Sequence, residues 1–234
     1  FKESFNINKC KYTICGNISD KLIEYYPSPQ KKYTKNQYLQ SHLQKAIRRK
    51  DTFKSIKTAK HLIDLDLITF LRRLPIIMLE DVAIHESISV IVWLMIAINK
   101  GFRIRCDMVK WLLGVVYYLS NENHKQEYLT ENIQDSIINE KHINKDILLP
   151  LRFRKCYGGM KGDMNMIEYY ILNIISDNII IHKDKINIIK LEMEPLMKNE
   201  WIYQANDFHC NKSIINQIKV YHKKYDEERI KSLI

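Results

Sequence analysis

Glycine and proline are scarce in this sequence, with six glycines and five prolines among 234 residues. Because both residues interrupt regular structure, their scarcity favours long helices over many short strands and turns. The hydrophobic and charged fractions, 46% and 27%, are those of an ordinary globular protein. A compact domain of this size buries roughly 70% of the surface that its unfolded chain exposes, so it needs neither disulfides nor a structural metal. The composition therefore predicts a mainly α-helical globular bundle.

Long apolar runs and paired cysteines are also missing. The longest apolar run, residues 90–98, falls well short of the about 20 residues that a membrane-spanning helix requires, and no signal peptide is recognisable. An odd number of irregularly spaced cysteines argues against a secreted disulfide scaffold and predicts a reducing intracellular compartment, nucleus or cytoplasm. The chain begins at Phe1 rather than Met, which leaves open a preceding region. The five cysteines are Cys10, Cys15, Cys106, Cys156 and Cys210.

A catalytic or cofactor signature is absent as well. No G-x-x-x-x-G-K-[ST] phosphate loop occurs anywhere, and the GGMKGD segment has neither its spacing nor its terminal Lys-Ser/Thr. The cysteines are not paired at the C-x-x-C spacing of a zinc site. The adjacent His209 and Cys210 are better explained as packed side chains than as a catalytic pair. We therefore predict no metal and no cofactor, and the sequence leans against an enzyme.

Positive charge, in contrast, is abundant. The net charge is +10 and the isoelectric point is about 9.2. A surplus of this size predicts a polyanionic partner, DNA or RNA before an anionic membrane. The alternative is a solvated lysine-rich surface on a chain whose composition leans to Ile, Asn and Lys. We expect salt-dependent nucleic-acid binding without sequence preference, no membrane partner, and a homo- or hetero-oligomer as a further possibility.

The hydrophobic pattern divides the chain into three parts. Residues 1–35 are poorly periodic and predict an N-terminal arm with a short helix near 19–25. Residues 36–120 are predicted to form a helical domain with a basic face, and residues 121–234 a second helical half packed on the first. Residues 84–98 are apolar nearly all round, which predicts a central buried helix. The β-branched residues 178–192 favour a small β-hairpin over a pair of helices.

Helix boundaries are marked by polar residues and by one glycine. Four aspartates are expected to cap helices: Asp51, Asp66, Asp107 and Asp163. Pro75 is expected to bend the helix that follows Asp66 or to open a new first turn. Gly101 is expected to end the central helix. Further helices are predicted over residues 129–140 and 213–225.

Two groups of basic residues are candidate contacts for nucleic acid. If helical, residues 48–60 of the larger group form a surface about 18 Å long at 1.5 Å per residue, enough to follow several phosphates of one strand. A solvated helix face is an equally good interpretation. The larger group is Lys45, Arg48, Arg49, Lys50, Lys54, Lys57 and Lys60, and the smaller is Arg152, Arg154, Lys155 and Lys161.

The chain's one glycine cluster is a candidate ligand turn. It comprises Tyr157, Gly158, Gly159, Gly162 and Asp163. Glycines let a backbone approach an anion closely, and the following helix N-terminus adds its dipole. Asp163 would repel an anion, however, so a tight turn between two helices is the favoured interpretation.

Arg72 and Arg73 precede Glu80 and Asp81 by about two helical turns. A structural ion pair between these groups, locking a helix end, is the favoured interpretation.

One stretch resembles a known family. Residues 41–119 are similar to the C-terminal helical region of the RarA/MgsA branch of clamp-loader-type AAA+ proteins. The resemblance implies oligomerisation and a DNA-associated scaffolding role in replication or repair. It carries no ATPase activity, because the phosphate loop is missing, and it does not extend beyond Ser120. The matching residues are Ser41, Leu43, Lys45, Ile47, Arg48, Asp51, Ala59, Arg72, Arg73, Leu74, Glu80, Asp81 and Val82.

Three functions follow from these patterns. The favoured one is a helical scaffold or accessory protein that binds the phosphate backbone of nucleic acid. The second is an enzyme acting on a nucleotide or nucleic acid, with its site near residues 157–163 and His209. The third is a protein–protein interaction module of a larger assembly, in which the charges serve solubility.

Overall fold

The computed structural model describes residues 1–7, 9–19, 21–28, 36–126, 144–176 and 178–189. This part of the chain forms six α-helices and one two-stranded antiparallel sheet, which confirms the predicted mainly α-helical bundle with a small hairpin. The strands are β1 (Lys2–Ile7) and β2 (Cys10–Cys15). The helices are α1 (Asn36–Arg48), α2 (Thr52–Asp81), α3 (Ile88–Asn99), α4 (Cys106–Asn121), α5 (Lys145–Cys156) and α6 (Lys161–Ile175).

The hairpin lies at the N-terminus, where an irregular arm was expected. Its two strands pair in register with Phe5 opposite Tyr12, and both rings pack against Phe153 of α5. The predicted short helix near 19–25 is not found among the described residues there. That segment instead pairs with the start of α4, through Tyr25 N to Ile104 O at 2.9 Å and Cys106 N to Ile23 O at 2.8 Å.

Residues 178–189 form no strand pair with one another. They run extended, with a single bridge between His182 and His85, while 190–192 lie outside the described residues. The apolar side chains of Ile179, Ile181 and Ile186 pack against the core. These β-branched residues therefore satisfy their hydrophobicity against helices rather than in the hairpin that the pattern favoured.

Helices α1 and α2 contain the stripes that the sequence predicts. Leu39, Leu43 and Ile47 of α1 are at most 1% exposed. Asp51 caps α2 by accepting a hydrogen bond from Lys54 N at 3.1 Å. Asp66, where the sequence predicted the start of a third helix, forms a kink within α2. Its φ and ψ of −160° and 86° are non-helical. Pro75 lies inside α2 and opens no new first turn.

Helix α3 is the apolar centre of the bundle, although it begins four residues later than residue 84. It packs against α2 and α5. Its C-terminus is closed by Gly101, whose φ is +87°, with Gly101 N bonded to Ile98 O at 3.0 Å and Phe102 N to Ala97 O at 2.9 Å. This is the paired hydrogen-bond pattern of a glycine-ended helix, so the predicted stop is confirmed.

Helix α4 begins differently from the prediction. Arg105 is its N-terminal flanking residue and makes no side-chain cap. Asp107 lies within the first turn, where its carboxylate bonds Lys110 Nζ at 3.2 Å. The expected cap at Asp107 is therefore wrong, although a carboxylate in the first turn still interacts favourably with the helix dipole.

All six helices contribute to one buried apolar cluster. Tyr170 of α6 is fully buried and donates a hydrogen bond to Leu79 O at 2.7 Å. Across the described residues, no helix combines the length and apolarity needed to cross a bilayer. The helices predicted over 129–140 and 213–225 lie outside the described residues.

The extended residues 178–189 cross directly over α4. His182 N bonds Ile84 O at 2.9 Å, and Ile189 N bonds Lys110 O at 3.2 Å. Gly114 lies beneath the crossing, where an added Cβ would be 1.8 Å from the carbonyl oxygen of Asn187. The absence of a side chain at Gly114 thus permits this close backbone approach.

Candidate nucleic-acid interface

The larger basic group is distributed over the end of α1, the turn that follows and the start of α2, rather than along one helix. Helix α1 ends at Arg48 and α2 begins at Thr52. Lys50 makes the turn with a φ of +58°, and Asp51 N bonds back to Ala46 O at 2.9 Å. Residues 49–51 are not helical, so the length of about 18 Å for a helical stretch does not apply.

Three cations of this group are bound by internal partners. Lys45 is 7% exposed, with Nζ 2.5 Å from Ser41 Oγ. Lys60 is 9% exposed and pairs with Asp64 at 2.5 Å. Arg48 pairs with Asp81, Nε to Oδ1, at 2.6 Å. Lys45 and Lys60 are buried, and the Arg48 side chain is 32% exposed. Because each contacts an internal partner, these three cations are less available to an external polyanion than exposed cations are.

The remaining four cations face outward. Arg49 and Lys50 are exposed, and Lys54 and Lys57 are half-buried. Lys50 Nζ bonds the neutral Asn123 Oδ1 at 2.6 Å, whereas Lys54 pairs with the capping Asp51 at 2.8 Å.

Phe53 lies among these cations and is 64% exposed. Lys57 Nζ is 5.0 Å from the centre of its ring. We call Arg49, Lys50, Phe53, Lys54 and Lys57 the cationic corner. Exposed aromatic rings beside cations are the platforms on which unpaired bases stack. Sequence reasoning missed Phe53, although an aromatic residue set between lysines was the available signal.

The smaller basic group is divided between surface and interior. Arg152 and Lys161 are exposed, and Lys155 hydrogen-bonds Glu168. Arg154 was a predicted phosphate contact, but it is only 3% exposed.

The guanidinium of Arg154 supports two backbone carbonyls. Its Nε bonds Arg72 O at 2.9 Å and its Nη1 bonds Gly158 O at 2.9 Å. Burial, followed by the nearby charge of Arg72, lowers the pKa of Arg154 to about 10. Arg154 therefore braces the turn between α5 and α6 instead of facing a polymer.

The glycine cluster forms that turn. Gly158 has a φ of +72° and ends α5, with its N–H bonded to Lys155 O at 2.9 Å. Tyr157 O accepts a hydrogen bond from Arg72 Nη2 at 3.1 Å. A Cβ at Gly159 would contact Met164 at 3.0 Å. Gly162 lies in the first turn of α6 with open space around it.

The sequence predicted that Asp163 caps α6, and this prediction is wrong. Met160 is the N-terminal flanking residue, and Asp163 lies within the first turn. Its carboxylate is 3.5 Å from Arg73 Nη1. Arg73 therefore crosses to α6, and its other terminal nitrogen bonds Gln44 of α1.

The expected pairing of Arg72 or Arg73 with Glu80 or Asp81 is also wrong. Eight residues of helix separate such pairs by about 12 Å along the axis, too far for most side chains to span. Arg48 takes their place, with Asp81 at 2.6 Å and Glu80 at 3.6 Å.

Two clefts lie elsewhere on the described surface. One, of about 510 Å³, is lined by both polar and apolar residues, including His85, Ser87, Trp111, Asp146 and Asp184. The other, of about 220 Å³, is mainly apolar and lies between the hairpin, α3 and α5. Neither includes a residue from 157–163, and His209 lies outside the described residues.

Comparison with known proteins gives no match among family models, curated proteins or solved structures. The similarity of residues 41–119 to clamp-loader-type proteins therefore stays an expectation.

Proposed function

We propose that this protein is a nucleic-acid-associated helical scaffold or accessory factor, which binds the phosphate backbone without sequence preference through the cationic corner. The observation that carries the proposal is the exposed Phe53 ring with Lys57 Nζ 5.0 Å from its centre, next to the turn that carries the exposed Arg49 and Lys50. Cations provide contacts to phosphates, and the ring provides a surface for a base. Arg152 of α5 and Lys161 of α6 are further exposed cations.

The charge of the whole chain supports the same function. A net charge of +10 attracts a polyanion over distances near the Debye length, about 8–10 Å at physiological salt. Among the described residues, Lys50 hydrogen-bonds an amide oxygen and Lys57 lies over an aromatic ring. A phosphate competes with such neutral groups more easily than with a buried carboxylate.

The biological setting is a finer part of the proposal. The resemblance of residues 41–119 to clamp-loader-type proteins supports a role in DNA replication or repair, as part of an oligomer. An intracellular location follows from the same role. No ATPase activity is proposed, since no phosphate loop is present in the sequence.

Salt dependence of binding tests the proposal directly. Anisotropy with labelled single- and double-stranded DNA and RNA is measured from about 50 to 300 mM salt. Four phosphate contacts give a log–log slope of about −3 on single strands and about −3.6 on duplex DNA. Flat or absent binding would contradict the proposal and favour the protein–protein module, in which the charges serve solubility.

A matched pair of charge reversals locates the surface. The K50E/K54E/K57E variant is expected to weaken binding at least tenfold and to flatten the slope. The control is K2E/K9E/K11E, which changes the net charge equally on the exposed side of the hairpin. Equal losses in both variants would mean that total charge, rather than the cationic corner, determines binding.

A further inference from the structure

A cluster of possible metal-ligating side chains, which no sequence motif predicted, is formed by Glu122, His182 and Asp184. One donor atom of each residue lies within 4.8 Å of the donors of the other two. Glu122 follows the last turn of α4, and the other two residues belong to the extended segment that crosses α4. The three side chains therefore join two parts of the chain that are sixty residues apart.

The two carboxylates are oriented by neighbouring donors. Tyr118 Oη donates to Asp184 Oδ2 at 3.0 Å and also hydrogen-bonds Glu122. His124 N donates to Glu122 Oε1 at 2.8 Å. These hydrogen bonds hold the two carboxylates in place, as the outer shell of a metal site does.

Among the described residues, no lysine or arginine balances the charge of the cluster. Within the described ranges, neither carboxylate has an ion pair with such a side chain, and His182 Nδ1 lies 3.9 Å from Asp184 Oδ2. The carboxylate oxygens of Glu122 and Asp184 lie within 4.8 Å of each other, and like charges at that separation repel. A cation placed between them removes that repulsion.

A second histidine stands next to the cluster. The ring of His124 lies 5.3 Å from the ring of His182, centre to centre. His124 is exposed and lies two residues after Glu122, and a change of its side-chain rotamer would be needed to bring its ring to a shared ion. Two imidazoles and two carboxylates then complete a four-ligand set.

We propose that Glu122, His182 and Asp184, with His124 as the fourth ligand, bind a divalent transition-metal ion, with Zn²⁺ as the best fit. Mixed imidazole and carboxylate donors suit Zn²⁺, whereas Mg²⁺ prefers an all-oxygen shell with several waters. The bound ion fixes residues 178–189 against the end of α4. This proposed metal site is independent of the nucleic-acid proposal, and it differs from the expectation of no metal.

The test is calorimetric titration of the EDTA-treated full chain with Zn²⁺, Mn²⁺ and Mg²⁺. We expect one Zn²⁺ per chain, weaker Mn²⁺ binding and no saturable Mg²⁺ binding. H182A and E122Q are each expected to weaken Zn²⁺ binding by about 10- to 100-fold, the usual effect of losing metal-site contacts. The control E168Q removes a carboxylate of α6 and is expected to leave the affinity unchanged.

Two further measurements separate this site from the cysteines and from misfolding. Substitution by Co²⁺ is expected to give an absorption spectrum without thiolate charge-transfer bands. Zn²⁺ is expected to slow tryptic cleavage after Lys183 and Lys185 in the native chain but not in H182A. The proposal is overturned if Zn²⁺ binding survives H182A and E122Q, or if Co²⁺ shows thiolate ligation. Equal melting temperatures of the metal-free variants and the native chain confirm that H182A and E122Q fold.

Discussion

Arg48 and Asp81, which end α1 and α2, form an ion pair of 2.6 Å across 33 residues of sequence. The Asp81 side chain is only 1% exposed. Gln44 Nε2 bonds the other carboxylate oxygen at 2.8 Å, and Gln44 Oε1 accepts from Arg73. A chain of polar contacts thus connects α1 and α2 and reaches Asp163 of α6.

Replacing Arg48 by Met leaves the buried Asp81 carboxylate with Gln44 but without its cation. We expect the free energy of unfolding to fall by about 3 kcal/mol, since removing one partner of a buried pair strands the other charge. Urea denaturation measures the change. The control K110M breaks the more exposed pair with Asp107 and should cost about 0.5 kcal/mol or less. Similar costs for both variants would contradict a special role for Arg48.

Replacing Asp66 by Ala removes the cap at the kink of α2. Asp66 accepts hydrogen bonds from Thr69 N at 2.9 Å, Thr69 Oγ1 at 2.7 Å and Asn36 Nδ2 at 2.7 Å. We expect a loss of about 1–2 kcal/mol of unfolding free energy, the range for a helix N-cap. D107A, which removes no cap, should cost less in the same denaturation assay. A neutral D66A would mean that packing alone fixes the kink.

Gly158 and Gly162 give opposite predictions for the same substitution. Gly158→Ala places a side chain at a φ of +72° and should destabilise by about 1 kcal/mol. Gly162 lies in the first turn of α6 with open space around it, so Gly162→Ala should raise the free energy of unfolding by about 0.5–1 kcal/mol. Thermal unfolding of the two variants checks the signs. Destabilisation by Gly162→Ala would indicate that this glycine has a role other than flexibility.

Two buried histidines make stability depend on pH. His61 and His85 are 3% and 1% exposed, and burial is the main cause that lowers the pKa of each. Neither ring nitrogen of His61 has a hydrogen-bond partner among the described residues. Because the unfolded chain binds these protons more readily, stability is fully present above the unfolded pKa of about 6.5 and falls as pH drops towards the folded values.

We expect a slope of about 1.4 kcal/mol per pH unit for each histidine below that point. Urea denaturation between pH 7.5 and 5.5 measures it. His61→Leu should reduce the slope by about one proton, and the slope that remains includes the contribution of His85. An unchanged slope in this variant would show that His61 is not the group that titrates.

Local signals in the sequence predicted the helix boundaries well at Asp51, Asp66 and Gly101. Each of these residues acts on backbone groups within a few positions of itself, so its effect is visible in a short stretch. The stripe of Leu39, Leu43 and Ile47 follows the same logic. The capping predictions at Asp107 and Asp163 failed because a first-turn aspartate and a capping aspartate look alike when the boundary is uncertain by two or three residues.

Contacts between distant residues escaped the sequence. Nothing in the stretch around Arg154 indicates that its charge is buried beneath the α5–α6 turn, because the carbonyl of Arg72 that it binds lies 82 residues away. The same holds for Glu122 with His182 and Asp184. The cationic corner could be predicted only in part. The sequence identified the cations of the larger basic group, but which of them are buried and which are exposed depends on tertiary packing.

The close contact between Gly114 and Asn187 connects the position of residues 178–189 with the affinity of the proposed site for Zn²⁺. Any side chain at Gly114 must move the backbone near Asn187, and that segment also carries His182 and Asp184. By thermodynamic reciprocity, an ion that prefers the docked segment strengthens docking by the same factor by which docking strengthens ion binding. Gly114→Ala would then lower Zn²⁺ affinity without touching a ligand, and saturating Zn²⁺ would restore part of the lost docking.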